Sequence, residues 1–136
     1  MTWYYNDEEF TSDMIGDYVG FVYEITNLKD GRKYIGKKLF SFKKMVRRKK
    51  KNVRINTESD WKSYWGSNGY LCEDVQKFGE DKFTRKILML CKSKTELGYY
   101  ELKFQMEKDV LLKPDEYYNA FIGYKAHRKN LIKGKK

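Results

Sequence analysis

The stretch "FVYEITNLKDGRKYIGKK", residues 21–38, restricts the fold more than any other part of the chain. From Tyr18 to Thr26 the residues Val19, Phe21, Tyr23 and Ile25 recur at period two, the pattern of a β-strand with one buried face. "KDG" at Lys29 to Gly31 supplies turn chemistry, and Lys33 to Gly36 reads as the returning arm of a β-hairpin. Later segments read as a third strand and helices. "KFTRKILMLC" reads as that strand. Leu71, Val75 and Phe78 form a helical stripe that ends at Gly79. "SKTE" at Ser93 to Glu96 matches a capping box, which predicts a helix running to about Leu112 and stopped by Pro114. Leu39, Phe42 and Val46 recur at spacings of three and four, predicting another helix that breaks near Asn52.

Charge divides the chain unevenly. Residues 37–54 hold ten Lys or Arg and no Asp or Glu; without them, the remaining 19 cations face 19 anions. Such a run is ordinarily a solvated surface, yet ten uncompensated cations in 18 residues repel one another and favour a polyanion. Nucleic acid is the first candidate and an anionic membrane surface the second. The tail from Lys125 to Lys136 is basic as well, with six Lys or Arg. The first 17 residues carry Asp7, Glu8, Glu9, Asp13 and Asp17 and no Lys or Arg, so no secretory leader is expected. With no apolar run near the ~20 residues that cross a bilayer, the expectation is a cytoplasmic protein without a membrane partner. Cys72 and Cys91 stand apart and read as free, buried thiols. The reading divides the chain into an acidic extension (1–17), one compact domain (18–123) containing the basic segment (37–54), and a basic tail (124–136).

Two features of this frame invite chemistry. Glu101 falls beside the stripe Tyr100, Phe104 and Leu111 of the predicted last helix, where a carboxylate needs a partner. A lysine partner or solvent would satisfy it. Tyr23 and Tyr34 lie on the two arms of the hairpin and can project their hydroxyls into one place, or simply line its core. A lone histidine, His127, sits in the tail, which disfavours nucleases built on a core histidine.

With these residues in view, the chain resembles the GIY-YIG nuclease superfamily, including its stand-alone members from large bacteriophages. Phe21-Val22-Tyr23 stands at the first triplet and Tyr34-Ile35-Gly36 at the second, with ten residues between them. "KFGEDKFTRKIL" matches the segment in which a Lys-x-Gly turn precedes a strand. "ELGYYELKFQ" places Glu101 at the family's metal-binding glutamate, and "YYN" places Asn119 at its late asparagine. The resemblance covers roughly residues 18–123. It implies an α+β fold, a small three-stranded antiparallel sheet flanked by helices, and metal-dependent hydrolysis of DNA with Mg²⁺ or Mn²⁺.

Residue roles follow from that resemblance. Glu101 holds the metal; one carboxylate suffices for Mg²⁺, whose other positions go to water and the substrate's own phosphate. Tyr23 and Tyr34 orient or deprotonate the attacking water, and Asn119 joins the catalytic set. A tyrosine acting as base near pH 7 needs its pKa lowered by about three units from ~10, a task assigned to Lys37. The family's arginine, eight residues past the second glycine, is replaced by Lys44, which lacks the guanidinium fork. Arg47 is the first substitute, with Arg48 and Arg54 behind it. Phe21 replaces a glycine, which suggests a tighter backbone approach at the first triplet. DNA contacts are expected from Lys38, Lys43, Lys44, Arg47, Arg48, Lys49, Lys50, Lys51 and Arg54, together with Tyr64 and Ser67, whereas Trp61 and Trp65 are expected to pack. A double-strand break would need a homodimer or two binding events. The rival reading is a nucleic-acid-binding protein that keeps this fold without catalysis; a basic membrane-surface module ranks third.

Overall fold

The computed structural model describes residues 2–132, and the side chains of Lys44 and Lys129 and the end of the basic tail (133–136) lie outside the described set. The strands are β1 (Trp3–Tyr5), β2 (Glu8–Phe10), β3 (Gly20–Asn27), β4 (Lys33–Leu39), β5 (Ser41–Arg48), β6 (Lys51–Glu58) and β7 (Phe83–Cys91). The helices are α1 (Gly69–Phe78) and α2 (Lys94–Glu107). One sheet has five strands in the order β2-β1-β7-β3-β4, and β5 with β6 forms a separate two-stranded ribbon.

The expected three-stranded antiparallel core is present as β7-β3-β4. Gly31 turns the hairpin with φ +81°, and Asn27 closes the loop by accepting at its carbonyl from the Gly31 N–H at 2.8 Å. β3 lies between β7 and β4, and both its faces are covered rather than one. Phe21, Tyr23 and Ile25 enter an aromatic cluster with Trp3, Phe40, Trp61 and Leu71. Val22 instead packs under α2 with Ile35, Leu97 and Val110.

Residues 3–10 belong to this sheet. β1 pairs antiparallel with β2 and parallel with β7, and Trp3 is buried, its indole N–H donating to the Trp61 carbonyl at 2.7 Å. The acids of this segment sit at its turn and exposed edge, while Trp3 and Phe10 point into the core. Negative charge therefore marked the surface of a hairpin and not a detached extension.

The basic segment differs most from expectation. The predicted helix after Leu39 is absent; β5 and β6 form an antiparallel ribbon instead, registered from Ser41↔Glu58 to Arg48↔Lys51. Val46 faces Val53, and with Ile55 and Thr57 these β-branched residues favour a pleated pair over a helix that would also stack like charges turn upon turn. The two-residue loop, Lys49 and Lys50, takes left-handed φ values of 49° and 64°, the geometry whose twist suits a tight hairpin.

α1 ends at the expected Gly79, at φ 95°, and its start is capped by the Asn68 side chain, which accepts from the Leu71 N–H. At α2, Ser93 accepts from the Glu96 N–H, but Glu96 reaches the Lys92 N–H, so the reciprocal half of the box is missing. α2 stops at Glu107, before the predicted Leu112, because Asp109 adopts a left-handed φ of 52° and a short 3₁₀ turn follows. One face of α2 is buried through Leu97, Gly98 and Gln105; Tyr99 and Met106 on the other side are exposed.

Candidate active site at the edge of the hairpin

β4 is an edge strand, and an edge leaves backbone groups unpaired unless something covers them. Here the chain returns to cover it. The Lys33 N–H donates to the Glu116 carbonyl at 2.9 Å and the Tyr118 N–H to the Lys33 carbonyl at 2.8 Å. Where the backbone leaves, the Asn119 side chain continues the pairing: its Oδ1 accepts from the Ile35 N–H at 3.1 Å and its Nδ2 donates to the Ile35 carbonyl at 2.8 Å. Asn119 is buried and both its polar ends are engaged by Ile35. Gln105 donates to the same Ile35 carbonyl at 3.0 Å.

Beyond this seam lies a cavity of about 190 Å³ lined by Tyr34, Ser67, Asn68, Glu101, Gln105 and the segment Ala120–Gly123. Tyr34 reaches it from β4, with its hydroxyl 3.2 Å from Ser67 Oγ. Glu101 reaches it from α2. Burial pushes the Glu101 carboxyl above its ordinary pKa, and only the positive charge of Lys37 opposes the shift. Lys37 sits with its ammonium 4.7 Å from the centre of the Tyr124 ring.

Tyr23 is placed differently. It pairs directly with Gly36 across the hairpin, and its phenol lies on that glycine so closely that a Cβ there would stand 2.5 Å from the hydroxyl oxygen. Its ring is 6.1 Å from that of Tyr34 and 5.9 Å from that of Tyr64. Buried to 1 % exposure, Tyr23 lies behind the wall of the cavity rather than on it. The glycine required by close approach is therefore Gly36, while Phe21 fills the aromatic core.

The expected lowering of a tyrosine pKa by Lys37 does not occur. Tyr23 is raised well above its ordinary value by burial, then by the neighbouring Tyr64 and Tyr34 phenols, hydrogen bonding with Tyr64 and the Glu101 charge. Tyr34 is raised chiefly by burial, with the Ser67 hydrogen bond opposing. Lys37 instead acts on Glu101. Both phenols are neutral near pH 7.

The structure separates the remaining candidates into two regions. Lys38 turns inward to Asp60 at 2.5 Å and lies 4.1 Å above the centre of the Tyr64 ring. Tyr64 is thus held between Lys38 and Tyr23, and its carbonyl accepts from Arg85 at 2.9 Å. Lys43, Arg47, Arg48, Lys49, Lys50, Lys51 and Arg54 are exposed along the ribbon. Arg47 pairs with Asn52 next to the ribbon's turn, so the strand that replaces the predicted helix carries it about 20 Å along from Ser41 and off the lining of the Glu101 cavity. Lys44 occupies a β5 position opposite Ile55. Trp61 is in the core; Trp65 is half-buried and donates to Glu80 at 3.1 Å.

Sequence reasoning missed Gln105, Asn68 and the Ala120–Gly123 wall. Gln105 follows Glu101 by four residues, one helical turn, and that spacing marks a shared face. Asn68 carries an N-cap signal. The wall has no sequence signature.

A sheet whose hairpin bears both aromatic triplets, with a helix delivering one glutamate beside the second, defines the class. A family described as "Putative endonuclease segE, GIY-YIG domain" matches residues 3–122, and the chain belongs to this GIY-YIG family. Among curated proteins, "Putative endonuclease segE" of Enterobacteria phage T4 is 33% identical over 99 residues, covering 73% of this chain and 39% of that relative. The chain thus spans about two fifths of the length of that relative. No solved structure matches. No helix among the described residues is long and apolar enough to cross a membrane.

Proposed function

We propose that this chain is a divalent-metal-dependent endonuclease that hydrolyses DNA phosphodiesters at the Glu101 cavity. The observation that carries the reading is Glu101 itself, a half-buried carboxylate whose charge is only partly compensated, set beside the Tyr34 and Ser67 hydroxyls. Among the described residues no cluster of three His, Cys, Asp or Glu exists, which disfavours a metal caged by protein alone. Mg²⁺ or Mn²⁺ suits one carboxylate with hydroxyl and amide oxygens nearby, because water and phosphate complete the shell. Such an ion supplies positive charge where the phosphoryl oxygens gather negative charge.

The chain's own residues do the rest. Glu101 anchors the ion. Tyr34, a neutral phenol steadied by Ser67, orients the attacking water through its oxygen. Tyr23 backs Gly36 and fixes the strand from which Tyr34 projects. Lys37 keeps Glu101 ionised and adds positive charge beside the phosphate. Asn119 and Gln105 hold Ile35, and so β4, in place. The exposed ribbon cations grip the duplex, so log affinity falls as log salt rises, by about 0.9 for each phosphate they neutralise.

A second reading, DNA binding without catalysis, is favoured by one observation: no arginine lines the cavity. Incubating supercoiled plasmid with the protein and Mg²⁺ or Mn²⁺ separates the two. The proposal expects open-circular product that EDTA abolishes and Tyr34→Phe reduces. Retarded but uncut plasmid in both metals would favour the second reading.

A further inference from the structure

The β5–β6 ribbon has two unlike faces, set by the alternation of a paired strand. One carries Phe42, Val46, Val53, Ile55 and Thr57, with Lys44, Arg48 and Lys51 at the alternating positions between and beyond them. The other carries Lys43, Met45, Arg47, Asn52, Arg54 and Asn56, all exposed, with Arg47 opposite Asn52, Met45 opposite Arg54 and Lys43 opposite Asn56, so both asparagines of the ribbon share this face with two of its three arginines. From Ser41 to Thr57 there is no acid. At the root of this face, a groove of about 610 Å³ opens toward Val19 and Lys94, and its lining joins Lys43, Arg54 and Asn56 with Phe42 and Met45 and includes no carboxylate.

Phosphate grip alone does not account for this face. Cations anywhere on the ribbon would serve it, and Lys49, Lys50 and Lys51 at the tip already do. Arginine and asparagine on one face are the residue types that pair through two hydrogen bonds with guanine and adenine edges. Dimensions agree. Two strands lie about 4.8 Å apart, so the ribbon with its side chains fits a major groove about 12 Å wide and is too broad for a minor groove of about 6 Å. Same-face residues are spaced about 6.8 Å along a strand, close to two base-pair steps of about 3.4 Å each. The span from Lys43 to Arg47 thus covers about four base pairs.

We propose that the β5–β6 ribbon lies in the major groove of duplex DNA with its Lys43–Arg47–Asn52–Arg54–Asn56 face against base edges, and that it sets where the chain acts. The proposal rests on the DNA reading above but not on catalysis. Specificity then resides inside the domain, on an element displaced from the Glu101 cavity, and the preferred bases lie to one side of the cut.

The test is binding to a randomised duplex library without metal, followed by sequencing of the bound fraction, so that loss of nuclease activity cannot imitate failure. The wild-type protein is expected to enrich a block of about four base pairs, and methylation of guanine N7 within the block should weaken binding. Arg54→Lys keeps the charge and loses the guanidinium fork. It should flatten preference at one or two positions by roughly 5- to 150-fold, as expected for one bidentate base contact, while the salt slope stays unchanged. Asn52→Ala with Asn56→Ala, both exposed and checked by thermal unfolding, should flatten neighbouring positions. Sequence-independent binding by the wild type, or an unaltered preference in Arg54→Lys and the Asn double variant, would overturn the proposal even if the protein nicks DNA.

Discussion

Asn119→Ala removes the side chain that finishes the sheet edge. Asn119 is 7 % exposed and makes hydrogen bonds of 3.1 and 2.8 Å to the two backbone groups of Ile35. After truncation the Ile35 carbonyl keeps Gln105 as a donor at 3.0 Å, but its N–H loses its partner inside the protein. A stranded buried N–H costs about 1–3 kcal/mol and the lost second bond about 0.5–1.5 kcal/mol, giving roughly 1.5–4.5 kcal/mol of destabilisation. Urea unfolding should show this as a lower midpoint with an unchanged slope. Asn119→Asp sharpens the test. Its carboxylate still accepts from the Ile35 N–H but faces the Ile35 carbonyl with another oxygen, so its folded pKa should be raised. A raised carboxyl binds its proton more readily in the folded state, so this variant regains stability as pH falls through that pKa. Asn119→Ala shows no such recovery. If Asn119→Ala is as stable as the parent, the edge-closing role is wrong.

Gly36→Ala should cost about 1–3 kcal/mol of stability in thermal or urea unfolding, since the new methyl meets the buried Tyr23 phenol; a neutral result would mean that the ring does not lie over Gly36. Trp3→Ala should cost about 3–5 kcal/mol, the range for a buried tryptophan, and an effect typical of a loose N-terminal extension would contradict the five-stranded sheet. The raised pKa of Glu101 makes its ionised form a burden on folding: above the ordinary carboxylate value of 4.5 the folded chain holds its proton longer, so stability falls as pH rises. Glu101→Gln should therefore be more stable than the parent at about pH 7, with the gain vanishing near pH 3, and denaturation at the two pH values checks the sign. Lys49→Asn with Lys50→Gly supplies residues that suit left-handed φ and deletes two tip cations, so the ribbon should persist while the salt slope of DNA binding becomes shallower by about two.

Local patterns predicted what local physics controls. The period-two arms and "KDG" gave the hairpin, and Ser93 caps its helix through a side-chain bond formed within three residues. Glu101 and Tyr34 were legible as a pair through the order of landmarks, and they do line one cavity. Tyr23 looked equivalent to Tyr34 because alternation puts both on one face; only the tertiary fold shows one phenol behind Gly36 and the other at the cavity. The ribbon was misread because Leu39, Phe42 and Val46 fit a helical spacing, while the cross-strand partners Val53 and Ile55 that decide its structure stand on the far side of a turn. Asn119 was assigned by resemblance, and its pairing with Ile35 spans 84 residues, a separation that no local pattern encodes.

The most direct test of the central claim compares wild type with Glu101→Gln on supercoiled plasmid in Mg²⁺, at matched occupancy of DNA measured by gel retardation. Nicking by the wild type and at least a 100-fold loss in the variant, with folding and DNA binding retained, is the expected result. A variant that nicks as fast as the wild type would contradict Glu101 as the metal anchor, and with it the assignment of the cavity as the catalytic centre.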